Sequence, residues 1–166
     1  MVDLDVAYIP TPKPIVHQML SLARIQRGEI LYDLGAGDGR ILVEAARRFG
    51  AKVVGIEIDP DRVSRIKERL KSTGIEAQVI QADFMGIDLS PADVVIIYLS
   101  DSVNTKIAPK LRRELRKGAR IVSLDYELPG FIPDKATTGR SGGLERKLFL
   151  YKVSKSSGMV PRAGVS

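Results

Sequence analysis

Residues 29–39 read EILYDLGAGDG, and this stretch decides the fold. Its first part, Glu29–Leu34, is a short apolar run that predicts a buried strand. The run passes directly into a loop with glycine at positions 35, 37 and 39, after which Arg40–Phe49 predicts a helix. Glycine permits such a sharp turn because it tolerates positive φ angles. A strand, a glycine-rich turn and a helix in this order are typical of an α/β protein with a parallel sheet.

The chain on either side repeats this alternation of apolar and amphipathic segments. A first helix is predicted over residues 13–25, a later one from the N-cap Asp59 to about Thr73, and a basic one from Ser102 to about Arg116, broken at Pro109. The further predicted strands are Lys52–Glu57, Ala77–Gln81, Asp93–Leu99 and Arg120–Asp125.

The pattern changes after Pro133. Lys135–Thr138 and Lys147–Val153 both predict strands, and no helix lies between them, only a connection that starts with GRSGG at residues 139–143. Two strands joined without a helix form an antiparallel hairpin. We therefore predict a Rossmann-like, doubly wound α/β sheet of seven mostly parallel strands, closed by an antiparallel C-terminal hairpin strand.

Length and composition exclude several classes of protein. The 166 residues predict a single domain over 1–153, with a lead-in segment at 1–12 and a flexible tail at 154–166. The absence of cysteine excludes disulfides, thiolate zinc sites and cysteine nucleophiles. His17 is the only histidine, and its apolar helical neighbours predict a structural role. No apolar run has the length of a membrane span, and the acidic start at residues 1–8 lacks the basic residues and apolar core of a signal peptide, which predicts a soluble, cytoplasmic protein.

Positive charge is concentrated in the second part of the chain. Residues 1–105 hold 12 Lys and Arg against 15 Asp and Glu, whereas residues 106–166 hold 14 against 5. The overall net charge is +6. A basic half favours an acidic partner such as RNA. The alternative interpretation is a solvated, lysine-rich helix face.

Three features follow successive predicted strands: the loop from Asp33 to Gly39, then Glu57, then Asp83. Ligands bind at the carboxyl ends of strands in an open α/β sheet. Glu57 lies 24 residues after Asp33, a spacing that suits a carboxylate accepting hydrogen bonds from both ribose hydroxyls. Asp83 is placed to accept from an adenine amino group. Ile58 and Phe84, the next residues along the chain, are expected to sandwich the adenine ring.

The loop chemistry distinguishes between adenosine ligands. The dinucleotide fingerprint G-x-G-x-x-G fails because position 40 is arginine, and no G-x-x-x-x-G-K-[ST] phosphate loop is present. Asp33 and Asp38 would repel a pyrophosphate, whereas they favour the sulfonium and ammonium groups of S-adenosylmethionine. We therefore predict S-adenosylmethionine as the cofactor, with the glycines Gly35 and Gly37 close to it, and no metal site.

These residues also carry a family resemblance. Residues 33–39 (DLGAGDG), Glu57 and Asp83 resemble the class I, seven-stranded S-adenosylmethionine-dependent methyltransferases. The segment YIPTP at residues 8–12, with RIVSLDYE at 120–127, is similar to the small archaeal broad-specificity protein-lysine methyltransferases and their mitochondrial relatives in animals. The resemblance covers residues 5–153. It implies that Tyr8 and Thr11 hold the methionine end of the cofactor, as a strap over the pocket.

The candidate catalytic residues are Tyr98, at the end of the fourth strand, and Asp125 and Glu127, after the fifth. The two carboxylates would attract a lysine ammonium and let its proton leave to water. Residues 98–101 read YLSD, in place of the [DNS]-P-P-[YF] clamp used on adenine or amide nitrogens. The absence of cysteine excludes attack on cytosine C5.

The predicted function is methyl transfer to exposed lysines on proteins with low sequence selectivity, because the fold leaves no room for a separate substrate domain. We expect a monomer without a membrane partner. Three alternatives stay open at this point: an RNA methyltransferase that binds through the basic half, a small-molecule methyltransferase and a non-catalytic cofactor-binding module. The basic segment 106–120 has no aromatic residue for base stacking, which disfavours RNA.

Overall fold

The computed structural model describes residues 10–154. These residues form one seven-stranded sheet in the order β3-β2-β1-β4-β5-β7-β6. The first five strands pair in parallel, and β7 runs antiparallel to both of its neighbours, β5 and β6. The strands are β1 (Ile30–Leu34), β2 (Lys52–Glu57), β3 (Gln78–Gln81), β4 (Val94–Ile97), β5 (Arg120–Leu124), β6 (Lys135–Ser141) and β7 (Leu144–Lys152). The predicted fold class is confirmed.

Helices cover both faces of the sheet. They are α1 (Lys13–Leu22), α2 (Arg40–Phe49), α3 (Pro60–Thr73) and α4 (Asp101–Glu114), with a 3-10 turn at Phe84–Gly86. Buried side chains of α1, α2 and α3 pack with one face of the strands, around Leu31, Ile96 and Val122. Those of α4 pack with the opposite face, around Val95 and Ile121. Each central strand is therefore buried on both sides, which explains its continuous apolar sequence.

Local signals set the ends of the helices. Asp59 caps α3 by accepting from the backbone N–H groups of Asp61 and Arg62, and Gly50 and Gly74 end α2 and α3 in the left-handed region, as predicted. Two predictions about α4 are wrong. Ser100, not Ser102, accepts from the backbone N–H of Val103. The helix also continues through Pro109, which is exposed, because buried neighbours on both sides of the proline hold it against the sheet.

The hairpin is longer than the sequence predicted. Its strands reach Ser141 and Leu144 rather than Thr138 and Lys147, so the connection is only Gly142 and Gly143. Gly142 has a φ of 59°, which a two-residue hairpin turn requires. The consequence is that the start of β7 projects along the carboxyl edge of β5.

Gly55 in β2 lets α2 lie close to the sheet. A Cβ at this position would be 2.7 Å from Leu42 Cδ1 and 3.2 Å from Ala36 Cβ. We expect Gly55→Ala to destabilise the protein by about 1–3 kcal/mol in urea denaturation, because a packed core resists added volume. Gly86→Ala is the matched control, since nothing lies within 4 Å of its Cβ and its φ is not positive. Equal stability of the two variants would contradict this view of the α2 contact.

Candidate active site

The sheet register brings the predicted site segments side by side. Leu34 at the end of β1 pairs with Ile56 of β2 on one side and Ile97 of β4 on the other, and Ile97 pairs with Ser123 of β5. Parallel strands end at the same edge of a sheet. The segments that follow β2, β1, β4 and β5 therefore form one continuous row at the carboxyl edge, in that order.

The glycine loop after β1 is tied to the neighbouring strand. The backbone N–H groups of Gly35 and Ala36 donate to the Ile56 carbonyl at 2.8 and 3.1 Å. Gly35, Gly37 and Gly39 have φ angles of 78°, 60° and 81°. Residues with a Cβ rarely adopt such positive φ angles, so the loop needs glycine at these positions. The predicted sharp turn from β1 into α2 is confirmed, whereas the close approach of a ligand to Gly35 and Gly37 stays a prediction.

Asp33 is a buried carboxylate that lacks a full set of donors. It is 3% exposed, and its Oδ2 has no hydrogen-bond partner among the described residues. Burial raises the pKa of Asp33 to about 7, and the nearby charges of Glu57 and Asp38 act in the same direction. An unpartnered buried carboxylate is costly in a protein interior, so this position calls for a ligand that supplies a donor or a positive charge.

Glu57 presents a second such oxygen at the end of β2. Its Oε2 accepts from the Ile58 backbone N–H at 2.9 Å. Its Oε1 is buried without a hydrogen bond from the described residues, 3.5 Å from Arg62 Nη1. Asp33 and Glu57 therefore leave two buried acceptor oxygens on adjacent strands. A ligand with ribose hydroxyls and an ammonium group fits these acceptors, and a pyrophosphate does not.

Asp38 does not present a bare carboxylate to the ligand, contrary to the argument from sequence. It pairs with Arg40 at 2.7 Å and with Arg69 at 3.1 Å. Burial opposes ionisation, but the hydrogen bonds and charges of these arginines hold the pKa of Asp38 below its usual value. Arg40 Nη1 also donates to the carbonyl of buried Thr11 at 2.8 Å, which joins the lead-in segment to the glycine loop. Tyr8, the other predicted strap residue, lies outside the described residues.

The residues predicted to hold adenine lie beyond Glu57. Ile58 is 36% exposed, and Phe84 packs at the edge of the core on the α4 side. Asp83 is exposed, and its Oδ1 accepts from the Met85 backbone N–H at 2.9 Å, so it also starts the 3-10 turn. The structure brings these three residues to the same edge as Glu57, because Ala82 N–H donates to the Glu57 carbonyl at 3.1 Å. Their contact with adenine stays a prediction.

The predicted catalytic residues cluster at the ends of β4 and β5. Burial raises the pKa of the Tyr98 phenol. The positive charge of Arg146 acts against this rise, and the charge of Asp125 and its hydrogen bond with the phenol add to it. Asp125 Oδ2 accepts from Arg146 Nη1 at 2.8 Å. Glu127 is exposed and has no ion pair with a described residue. The catalytic roles of the three residues stay predictions.

Sequence reasoning missed two residues that shape this cluster. Arg146 comes from β7, 21 positions beyond Asp125, and its pairing has no local sequence signal. Asn104 is fully buried on α4, and its amide donates to the carbonyls of Tyr126 and Glu127 at 3.4 and 3.1 Å. A polar asparagine on the apolar side of an amphipathic helix was the one signal that pointed to Asn104. His17, predicted as structural, lies 5.7 Å from the Phe49 ring.

Comparison with known proteins identifies the family. The family model of the ANTKMT methyltransferase domain matches residues 33–135. A protein-lysine N-methyltransferase of Saccharolobus islandicus is 35% identical over 153 residues, which cover 90% of this chain and 95% of that relative. The chain belongs to the ANTKMT methyltransferase domain family. The matched segment runs from Asp33, at the start of the glycine loop, to Lys135, at the start of β6.

Two further relatives of the methyltransferase are informative. The adenine nucleotide translocase lysine N-methyltransferase of Mus musculus is 33% identical over 165 residues, which cover 98% of this chain and 69% of that longer relative. The crystal structure of an RNA methyltransferase from Salinibacter ruber, in complex with S-adenosyl-L-homocysteine, superposes with a TM-score of 0.84 at 39% identity. The superposition covers 90% of this chain and 97% of that one.

These comparisons establish S-adenosylmethionine as the cofactor of this methyltransferase, and the two buried acceptors of Asp33 and Glu57 fit it. Within residues 10–154, no helix is both long and apolar enough to cross a membrane. The same residues contain no group of three or more side chains suited to holding a metal ion.

Proposed function

We propose that this methyltransferase modifies the ε-amine of lysines exposed on other proteins, with low sequence selectivity. The names of the Saccharolobus and mouse relatives support a protein-lysine substrate. The observation that carries the proposal is the position of Tyr98, Asp125 and Glu127 at the ends of β4 and β5, beside the glycine loop in the row of strand ends, with Tyr98 in contact with Asp125. The exposed carboxylate of Glu127 at this edge suits a cationic side chain that enters from solvent.

Methyl transfer from a sulfonium requires an uncharged amine in line with the departing sulfur. S-adenosylmethionine supplies the methyl group when bound. In the proposed arrangement Glu57 holds the ribose, Asp33 faces the methionine ammonium, and Tyr8 and Thr11 cover that end. Asp83 accepts from the adenine amine between Ile58 and Phe84. Glu127 attracts the substrate ammonium, whose proton leaves to water before the amine attacks.

RNA is the second candidate acceptor, because the Salinibacter neighbour is named an RNA methyltransferase and the second part of this chain is basic. The contacts of α4 weaken the RNA interpretation. Lys110 is buried and pairs with Glu114 at 2.7 Å, Arg112 stacks over Phe131 at 4.7 Å, and Arg116 pairs with Asp93. Half of the six cations at 106–117 therefore serve the fold rather than a phosphate backbone.

A charge-reversal test separates the two acceptors. The variant Lys106→Glu, Arg113→Glu, Lys117→Glu changes exposed cations of this region and spares the three structural ones. We expect methylation of a protein substrate to stay within about two-fold of wild type, because exposed substitutions away from a site have small effects. The measurement is transfer of labelled methyl groups to separate protein and RNA pools, with lysine analysis of the product.

The matched control reverses Arg65, Lys67 and Lys71, three exposed cations of α3, so that both variants carry the same change in net charge. On the RNA alternative the first variant alone loses activity, wild-type binding weakens steeply with salt, and the label appears in RNA. That outcome would replace the lysine assignment.

A further inference from the structure

The turn after β5 is fixed by contacts from β7, from α4 and from β5 itself. Asp125, at its start, has a φ of 67°, which is uncommon for a residue other than glycine. Its backbone N–H donates to the Lys147 carbonyl at 2.8 Å, and its Oδ1 accepts from the Lys147 N–H at 3.3 Å. Asn104 and Ser123 donate to the Tyr126 carbonyl. The backbone of this turn is therefore held in place independently of any substrate.

Arg146 supplies the ionic contact within this arrangement. Its Nη1 lies 2.8 Å from Asp125 Oδ2, and both side chains are about four-fifths buried, with 23% and 20% exposed. Its Nε is buried and has no hydrogen-bond acceptor among the described residues. A buried guanidinium with an unsatisfied donor is costly. The pair with Asp125 therefore comes with an unmade hydrogen bond on the same guanidinium.

The titratable groups around the pair come from three elements. Tyr98 at the end of β4 contacts Asp125, and Tyr126 and Glu127 belong to the turn itself. Lys147 of β7 contributes its backbone, while its side chain lies on the opposite face of the strand from Arg146, because side chains alternate along a strand. Tyr126 is 38% exposed and Glu127 is exposed, so both side chains are open to solvent at the edge where the pair lies.

We propose that Arg146 is a positioning residue for methyl transfer: it holds Asp125 in an ion pair, so that the substrate amine meets one unpaired carboxylate, Glu127, beside a neutral pair. The inference rests on the proposed lysine acceptor. A second bare carboxylate beside the amine would stabilise its ammonium form, which cannot attack the methyl group. The ion pair removes that penalty and leaves Glu127 to attract the substrate.

The test measures kcat against pH for single and paired variants with a lysine peptide. Arg146→Met leaves the Asp125 charge unpaired, which raises the pKa of the substrate amine. We therefore expect the rise of kcat with pH to occur about 1 pH unit higher. Asp125→Asn leaves the Arg146 charge unbalanced, so the rise moves downward. The double variant Arg146→Met, Asp125→Asn has no charge at either position and returns the rise to its wild-type pH. Arg146→Lys keeps the cation and the wild-type profile.

The matched control is Arg140→Met, which breaks the exposed Arg140–Glu145 pair on the same hairpin and leaves the profile unchanged. Circular dichroism establishes that each variant is folded. The inference would be overturned if the single variants lost activity equally at every pH, or if both moved the rise of kcat in the same direction. Either result would show that the Arg146–Asp125 pair only supports the structure. Failure of the wild type to produce methyl-lysine would instead overturn the proposed function, so the two failures are distinguishable.

Discussion

Replacing Asp33 with asparagine is expected to stabilise the cofactor-free protein at pH 8 while weakening cofactor binding. The pKa of Asp33 is raised to about 7 in the folded state, above its ordinary value of 3.8, because the carboxyl is buried. The folded state therefore binds this proton more tightly than the unfolded chain, and stability falls as pH rises from about 4 to about 7. The full cost of the buried charge is present above pH 7.

The size of the effect follows from the shift in pKa. Each pH unit in that window costs about 1.4 kcal/mol, so wild type should lose about 2–3 kcal/mol of stability between pH 5 and pH 8 through this group. Asp33→Asn has no such charge and should lack that part of the pH dependence. The buried amide leaves hydrogen bonds unmade at a cost of about 1–3 kcal/mol, so the gain at pH 8 is smaller than the charge term alone.

Binding changes in the opposite direction. Asp33→Asn should bind S-adenosylmethionine at least about tenfold more weakly at pH 8, because a charge-assisted contact to the ligand cation is lost. Urea denaturation at pH 5 and pH 8 and calorimetric titration check the two effects. Parallel loss of stability and binding would show that Asp33 supports the fold rather than the ligand.

Glu57→Ala is expected to reduce cofactor affinity further, by roughly 2–4 kcal/mol, because both ribose hydroxyls lose a charged acceptor. The buried Oε1, with no hydrogen bond from the described residues, is the atom that we expect to make these contacts. Calorimetry with S-adenosylmethionine measures the loss. Glu57→Gln separates charge from shape, since it retains the side-chain volume and one acceptor oxygen.

The control for this prediction is Glu68→Ala, which removes an exposed carboxylate from α3. It should leave the dissociation constant unchanged. Undiminished affinity in a folded Glu57→Ala protein would remove Glu57 from the proposed site. Arg40 and the loop carboxylates were used to distinguish S-adenosylmethionine from a dinucleotide as the ligand. Binding of NAD by wild type would argue against that distinction.

The elements set by local chemistry were predictable from sequence. Glycine spacing after β1, the N-cap Asp59 and the C-terminal glycines of α2 and α3 act within a few residues, and the structure has each of them as predicted. The alternation of strands and helices predicted that the segments after successive strands meet at the carboxyl edge of a parallel sheet. The structure places Asp33 and Glu57 at that edge, on paired strands.

Long-range partners were not predictable. The charge of Asp38 looked available in the sequence, but Arg69, 31 residues away, helps to neutralise it. Asp125 likewise looked free, and Arg146, which pairs with it, belongs to β7 because that strand starts at Leu144 rather than at Lys147 as predicted. Such pairings depend on register and turn length, which a run of polar residues does not specify.

The position of β7 inside the sheet determines when, during synthesis, the carboxyl edge of the sheet can be completed. This strand lies between β5 and β6, so one of the latest described segments to leave the ribosome is inserted inside the sheet rather than added at its edge. The glycine loop and Glu57 precede the hairpin by about half of the described chain, whereas Arg146 reaches Asp125 only after the hairpin has formed. A nascent chain therefore has the buried acceptors of Asp33 and Glu57 long before it has the Asp125–Arg146 pair.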